Sequence, residues 1–519
     1  MGWIGQGAQR ITTETLIGRM ASKAATVLER LGVGAGDGVA LYMRNDITFF
    51  EASIATGMLG AYPVPVNWHY TPDEAQYLLA DSGVKVLVIH ADLLPPIAAV
   101  VPPGVTILVV EVPPDMVQAY GLAADTGLAQ AGATLWRALV DAAPERQAPP
   151  AAAAPNSIIY TSGTTGRPKG VRRPAYPPEA QALVSRMLGL CYGYTEVLQG
   201  QRDPSTVTTA VIGPMYHAAP NAHGLFSARM GINVLVEPRF DAERLLALIE
   251  RERITHLNMV PVMFVRLLKL PDEVKRRYDL SSLEYVAHAA APCPPEVKRA
   301  MIDWWGPVIW EYYGSTEMGN VTHLSSQEWL AHPGSVGRVI AGLQVRILDE
   351  QGHDLPHGAV GEVAGGSPLL TNFTYQNAPA KRAEMDRSGL VAPGDIGYFD
   401  ADGYLYLCDR KNQMIISGGA NIYPAEIEAE LHKLPGVADC AVFGIPDDEF
   451  GEAVCAYVQP DPGAVLDAGE LRAALRKVMT SYKVPKVMEF TDALPREDSG
   501  KIFTRKLREP YWAGSKRSI

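Results

Sequence analysis

Residues 160 to 170 read YTSGTTGRPKG. Hydroxyls, small residues and the single ammonium of Lys169 stand together behind the apolar pair Ile158 and Ile159, offering an anion several donors and one positive charge. Phosphate is the ligand this mixture suits, and a solvated Gly/Ser/Thr linker is the alternative that the segment alone leaves open. The spacing excludes the NTPase phosphate loop. Counting from Gly163, Pro168 stands before Lys169 and Gly170 after it, where that loop requires Gly before the lysine and Ser or Thr after it. Val171, Pro174, Pro177 and Pro178 disfavour a helix directly behind the loop. The segment is therefore predicted to join two extended stretches, with its anion site built from loop amides, hydroxyls and Lys169.

Four further segments carry unusual chemistry. EYYGSTEMG (311 to 319) sets two tyrosines, a glycine turn, two hydroxyls and Glu317 behind an apolar run. PGDIGYFDADG (393 to 403) isolates Asp395 between glycines, and DRKNQMIISGGANIYPAEIE (409 to 428) carries Arg410 and a Ser-Gly-Gly turn. PREDSGKIFTRKL (495 to 507) presents Lys501 behind a glycine. Taken singly, each has an ordinary reading: an exposed acid, a core aromatic, a turn former, a surface lysine.

The rest of the chain outlines the scaffold around these segments. With 519 residues, 47% hydrophobic and 20% charged, the chain is ordinary globular material, long enough for more than one domain. A formal charge of −11 argues against a general nucleic-acid or anionic-membrane binder. Five scattered cysteines with no CxxC pair fit a reducing cytoplasm and no zinc site. No signal peptide is expected at the N-terminus, and the apolar stretch 84 to 112 is too interrupted by proline and charge for a membrane span. It reads as two buried strands, VKVLVIH and VTILVVEV. Thr71, Pro72 and Glu74 predict a capped helix start. Short Val/Ile runs alternate with helical patterns through two regions, one before and one after a Pro/Ala-rich connector at 142 to 155 that is expected to be solvent-exposed. From about residue 333 short strands with glycine turns take over, including a hairpin signal at Asp402-Gly403. The last hundred residues read as a small α+β unit.

In this order, the five segments resemble the AMP-forming adenylating superfamily, which includes acyl- and aryl-CoA synthetases, luciferases and adenylation domains. The resemblance covers nearly the whole chain and is closest to a bacterial-type acyl-CoA synthetase. It implies an α/β fold: a large N-terminal AMP-binding domain (1–411) with two β-α-β subdomains and a small β-barrel-like subdomain, then a small mobile α+β C-terminal domain (412–519) hinged near Asn412. The implied activity is that of a carboxylic acid–CoA ligase using ATP, Mg2+ and CoA. An adenylating enzyme that passes its acyl group to a carrier-protein thiol or an amine is the alternative. Small-molecule acid, ATP and CoA would be the partners, in the cytoplasm, with no nucleic acid and no transmembrane segment, in a chain that the family allows to be a homodimer.

The resemblance also implies residue roles. Thr161, Ser162, Gly163, Thr164, Thr165, Gly166 and Lys169 would hold the β- and γ-phosphates. Thr316 would touch the α-phosphate and Glu317 would bind Mg2+. Adenine would stack on Tyr313 and lie against Ala290, Ala291 and Pro292, while Asp395, helped by Arg410, would accept the ribose hydroxyls. Lys501 would bridge the substrate carboxylate and the α-phosphate, and His217 would gate the acyl carboxylate. After the C-terminal unit swings, Ser417, Gly418 and Gly419 would line a pantetheine tunnel. Asn412 and Gln413 depart from the Asp or Lys and the acid that are frequent at the hinge. Met215, Tyr216, Ala218, Asn221, His288, Ala289 and Gly314 are expected to line the acyl pocket; their small side chains favour a medium-to-long, bulky cyclic or arylalkanoic acid. No Arg or Lys is placed for a second carboxylate. His223, His256 and His288 read as structural or pocket-lining, with no metal-ligand spacing.

Overall fold

The structure is a computed structural model that describes residues 2–123, 125–151, 153–161, 167–410, 413–417, 420–447, 450–496 and 502–513. Two parallel sheets form the N-terminal body. The first has four strands, ordered Tyr62–Pro65, Gly38–Tyr42, Val84–His90, Thr106–Val110, all parallel. Helices pack on it, among them Ile47–Met58 and Pro72–Ser82. The second begins with the expected capping box: Thr71 accepts from the Glu74 amide, and the Glu74 carboxylate accepts from the Thr71 amide. The two runs read as buried strands are therefore neighbours in this sheet.

The second sheet has nine strands. Six run parallel, in the order Ile309–Ser315, Tyr285–His288, His256–Met259, Thr208–Val211, Asn233–Val236 and Trp3–Gln6. Antiparallel strands close both flanks, Gly319–Leu324 and Arg338–Val339 on one side and Gln9–Thr12 on the other. In an open parallel sheet, ligands bind beyond the carboxyl ends of the strands. The segments 213–217, 289–292 and 316–317 each follow such an end.

A three-stranded antiparallel sheet joins Thr374–Tyr375, Lys169–Arg172 and Ile159–Thr161. A six-stranded antiparallel sheet covers residues 344 to 410; its strand path is open, so the region read as barrel-like is not a closed barrel. Its last two strands, Asp395–Phe399 and Leu405–Arg410, form the expected hairpin, with Gly403 at φ +80. From Ile415 the chain builds a sheet of its own from five strands ending at Phe490, with the helices Pro424–His432, Ala468–Leu475 and Thr504–Trp512. The 142 to 155 connector is mostly exposed, although Ala143 and Pro155 are buried. All five cysteines are free thiols. Among the described residues no helix is long and apolar enough to cross a membrane.

Candidate active site

The segment 160 to 170 connects two strands, as its sequence requires, with Thr161 opposite Lys169 in the antiparallel register. Gly170 is closely packed. A Cβ on Gly170 would sit 2.8 Å from the Tyr160 ring and 2.9 Å from Ile158, so only glycine fits there. Ser162, Gly163, Thr164, Thr165 and Gly166, expected to hold phosphates, lie outside the described residues. Thr161, which flanks them, meets Tyr375 at one carboxylate. The Thr161 hydroxyl donates to Glu317 Oε1 at 3.4 Å and the Tyr375 hydroxyl donates to the same oxygen at 3.0 Å. Burial and the adjacent Glu317 charge hold the Tyr375 hydroxyl well above the ordinary phenol range. Lys169 Nζ lies 5.7 Å from the centre of the Tyr375 ring.

Glu317 sits on the turn between Ile309–Ser315 and Gly319–Leu324. Two glycines permit this turn. A Cβ on Gly314 would fall 2.2 Å from the Gly319 carbonyl oxygen, and Gly319 itself has φ +81. The Ser315 hydroxyl accepts from the Met318 amide at 3.0 Å. Glu317 is buried, yet no cation among the described residues is paired with it. Thr316 is half-buried beside it.

Tyr313, four residues before Glu317, is buried at the end of the same strand, and its hydroxyl donates to Asp395 Oδ2. Asp395 is itself buried and pairs in register with the Arg410 backbone across the next hairpin; the Arg410 side chain lies outside the described residues. The adjacent wall is the segment after Tyr285–His288. Ala290 is exposed and holds φ +73, a conformation that costs a residue with a Cβ about 1 to 2 kcal/mol. Ala291 is half-buried and Pro292 exposed. Strain of this kind collects at ligand-binding turns.

The loop carrying His217 is fastened from two sides. Asn45 Nδ2 donates to the carbonyls of Gly213 and Glu237 at 2.9 and 3.1 Å, and its Oδ1 accepts from the Met215 amide at 2.9 Å. Asn221 donates to the Met215 carbonyl at 3.0 Å and accepts from the Ser157 hydroxyl at 3.0 Å. His217 precedes the helix Ala218–Arg229, with its ring 4.4 Å from that of Tyr216. Met215, Tyr216, Asn221 and Ala289 are buried, whereas Ala218 and Gly314 are half-buried.

His223, His256 and His288 are interior groups. His223 Nε2 lies 3.2 Å from both Tyr194 Oη and Thr209 Oγ1. The Thr209 hydroxyl donates to the His256 carbonyl and the Ser227 hydroxyl to that of His223, which leaves Ser227 Oγ to accept from Tyr194. Both hydroxyl protons are thus committed elsewhere, and Nε2 must carry the ring proton of His223. Burial pushes its pKa down to about 3 and that of His256 to about 4. His288 is wholly buried at the end of its strand, edge-on to Phe264 and 3.5 Å from Glu311. None of these three joins a metal-ligand cluster among the described residues.

Two contributors carry no motif signal. Tyr375 reaches Glu317 only because its strand pairs with Lys169–Arg172, and Asn45 acts across the boundary between the two parallel sheets. In the C-terminal unit, Ser417 ends the strand Ile415–Ser417 and pairs with Ala420 and Gly451. Lys501, Asn412, Gly418 and Gly419 lie outside the described residues.

Comparison with known proteins identifies the family and the fold. The AMP-binding enzyme family matches residues 7–373, and the AMP-binding enzyme C-terminal domain matches residues 426–501. A feruloyl-CoA synthase of Amycolatopsis is 33% identical over 506 residues, covering 95% of this chain and 93% of the relative. The long-chain-fatty-acid–CoA ligase FadD13 of Mycobacterium tuberculosis is 32% identical over 499 residues, covering 95% and 92%. ATP-bound MatB from Rhodopseudomonas palustris superposes with a TM-score of 0.83 at 28% identity, over 98% of this chain and 96% of that one. The activity is AMP-forming ligation of a carboxylic acid to CoA, with ATP and Mg2+. The chain belongs to the AMP-binding enzyme family.

Proposed function

We propose that the ligase acts on a hydrophobic acid, medium-to-long-chain or bulky cyclic or arylalkanoic, through the residues that gather around Glu317. The observation that carries the reading is the meeting at that carboxylate of the phosphate hairpin, through Thr161, with the third strand of its sheet, through Tyr375. In the first step a carboxylate oxygen attacks the α-phosphorus of ATP, and the bond from that phosphorus to the bridging oxygen breaks, releasing pyrophosphate. The CoA sulfur then attacks the acyl carbon, AMP departs, and the thiol proton is lost. Two anions must be held in line for the first step, so donors and positive charge are needed where charge builds.

Thr161, Lys169 and the loop between them would hold the β- and γ-phosphates, with Thr316 at the α-phosphate. Adenine would lie between Tyr313 and the 290–292 wall, and Asp395, with Arg410, would take the ribose. Glu317 suits Mg2+: it is a hard, anionic oxygen donor kept in a buried place with two hydroxyls and no counter-cation among the described residues. Mg2+ there would offset charge on the phosphate oxygens. Lys501 is proposed as the mobile ammonium of the adenylation step, and Ser417-Gly418-Gly419 as a bare backbone edge for pantetheine, after a swing at Asn412.

The acyl class is supported by the lining. Ala218, Ala289 and Gly314 leave room, while Met215 and Tyr216 are apolar walls. Arg44, stacked on Trp68 beside Tyr216, spends both terminal nitrogens on Asp92, at 2.9 and 2.8 Å, and is not spare for a second carboxylate. The free thiols support a cytoplasmic location. A panel of acids incubated with ATP and Mg2+, with and without CoA, tests the reading by mass spectrometry. Thioesters of hydrophobic monoacids are expected. A preference for acetate or for dicarboxylic acids would overturn the acyl assignment, and AMP without any thioester would point to a carrier thiol or an amine as acceptor.

A further inference from the structure

Arg173 follows the strand Lys169–Arg172 directly and is 7% exposed. Its guanidinium is spent on main-chain oxygens. Nη2 donates to the carbonyls of Thr316 at 2.8 Å and Glu317 at 2.5 Å, and Nη1 donates to that of Leu370. The Phe373 ring lies against it, 5.1 Å from Cζ. Among the described residues no carboxylate forms an ion pair with it.

Burying an unpaired guanidinium is costly, and an apolar side chain of similar length would fill the same volume at lower desolvation cost. The three carbonyls explain what the charge does. Those of Thr316 and Glu317 belong to a turn flanked by Gly314 and by Gly319 at φ +81, where the backbone has few constraints of its own. A planar fork can reach several acceptors at once, which a lysine ammonium on a flexible stem does less well. One side chain thus fastens the turn that bears Thr316 and Glu317 to the strand leaving the phosphate loop and to the segment before Thr374–Tyr375, whose tyrosine meets Glu317 from the other side.

We infer that Arg173 is a positioning residue for the Mg2+-binding carboxylate: it fixes the backbone from which Glu317 and Thr316 project, so that the metal site is formed before Mg2+ and ATP arrive. This rests on the proposed role of Glu317. Partners of metal ligands, when removed, typically cost 10- to 100-fold in metal affinity.

The test is AMP formation by the full chain at saturating ATP and acid, with free Mg2+ titrated, together with the Mg2+-dependent rise in melting temperature with ATP and no acid, for wild type, Arg173→Lys, Arg173→Met and Glu317→Gln, each checked for folding by melting without ligand. Both Arg173 variants are expected to raise the half-saturating Mg2+ concentration about tenfold or more, with the KM for the acid unchanged. A folded Arg173→Lys with the wild-type Mg2+ requirement would overturn the inference, as would a parallel decline of kcat, acid KM and Mg2+ response that tracks melting temperature. Glu317→Gln separates the two layers. If it too leaves the Mg2+ requirement unchanged, the reading of Glu317 fails; if it raises that requirement while the Arg173 variants do not, only the positioning role fails. Should neither Arg173 variant fold, Phe373→Leu, which removes the ring under the guanidinium but no donor, is expected to give a smaller rise, and no rise would overturn the inference.

Discussion

The hydroxyl of Tyr313 donates to Asp395 at 2.5 Å, joining the end of a strand in the nine-stranded sheet to the start of a strand in the six-stranded one. The two residues proposed to hold adenine and ribose are therefore positioned by each other, across 82 residues of chain. Tyr313→Phe keeps the ring but withdraws a charge-assisted donor from a buried carboxylate, a loss of about 1.5 to 3 kcal/mol. The expected outcome is a KM for ATP raised about tenfold or more, with the KM for the acid little changed. Steady-state kinetics with each substrate varied in turn checks this; equal changes in both constants would contradict it.

A second pair lies beneath the same strand. Lys298, wholly buried, donates to Glu311 at 2.5 Å, and its ammonium faces the Trp329 ring at 5.1 Å. Burial holds the Glu311 carboxyl above its usual range, partly offset by Lys298; burial, helped by Lys298, holds His288 well below its own. Lys298→Met would leave Glu311 buried without a counter-charge, a cost of about 3 to 5 kcal/mol at neutral pH. A carboxyl raised in the folded state is least costly when protonated, so the penalty must shrink as the pH falls. Melting temperatures of variant and wild type are expected to differ more at pH 7.5 than at pH 5.5, and Lys298→Met/Glu311→Gln to recover part of the loss. A gap that does not change with pH would contradict this account.

The interior histidines bear on stability at acid pH. Burial lowers His223 to about 3, and His256 and His323 to about 4, from 6.5 in the unfolded chain. A base with a depressed folded pKa contributes stability above the unfolded value and loses it as the pH falls towards the folded one. Each of these groups therefore removes about 1.4 kcal/mol per pH unit below 6.5, until the pH nears its folded value. The melting temperature is expected to fall steadily from pH 7 to pH 5, and less steeply in His223→Gln. A flat profile over that range would count against neutral interior histidines.

How much of this was legible depends on the distance over which each feature is decided. The Thr71 capping box, the Asp402-Gly403 hairpin and the non-helical continuation of the 160 to 170 loop are settled within a few residues, and each stands as expected. Trp3–Gln6 is different. It is four residues long and becomes a strand by lying parallel to Asn233–Val236, with the Trp3 amide donating to the Asn233 side chain across 230 residues. Tyr375, Arg173 and Asn45 carry no local signal for the same reason: each acts on a segment that folding brings to it, and none belongs to a motif. The barrel-like expectation was close to an open antiparallel sheet, because glycine turns between short strands specify hairpins but not closure.

One site is proposed to make an acyl-adenylate and then to use it, with Lys501 needed only for the first step. This is tested most directly by quenching reactions of wild type and Lys501→Ala with ATP, Mg2+ and an accepted acid in the absence of CoA, and by supplying both proteins with the preformed acyl-adenylate plus CoA. Wild type is expected to accumulate acyl-adenylate and pyrophosphate. Lys501→Ala is expected to lose most of that product, by about 2.7 to 4 kcal/mol in the barrier, yet to convert the supplied adenylate to thioester. Normal pyrophosphate release by Lys501→Ala, or thioester formed by wild type with no adenylate on the way, would rule out this role for Lys501.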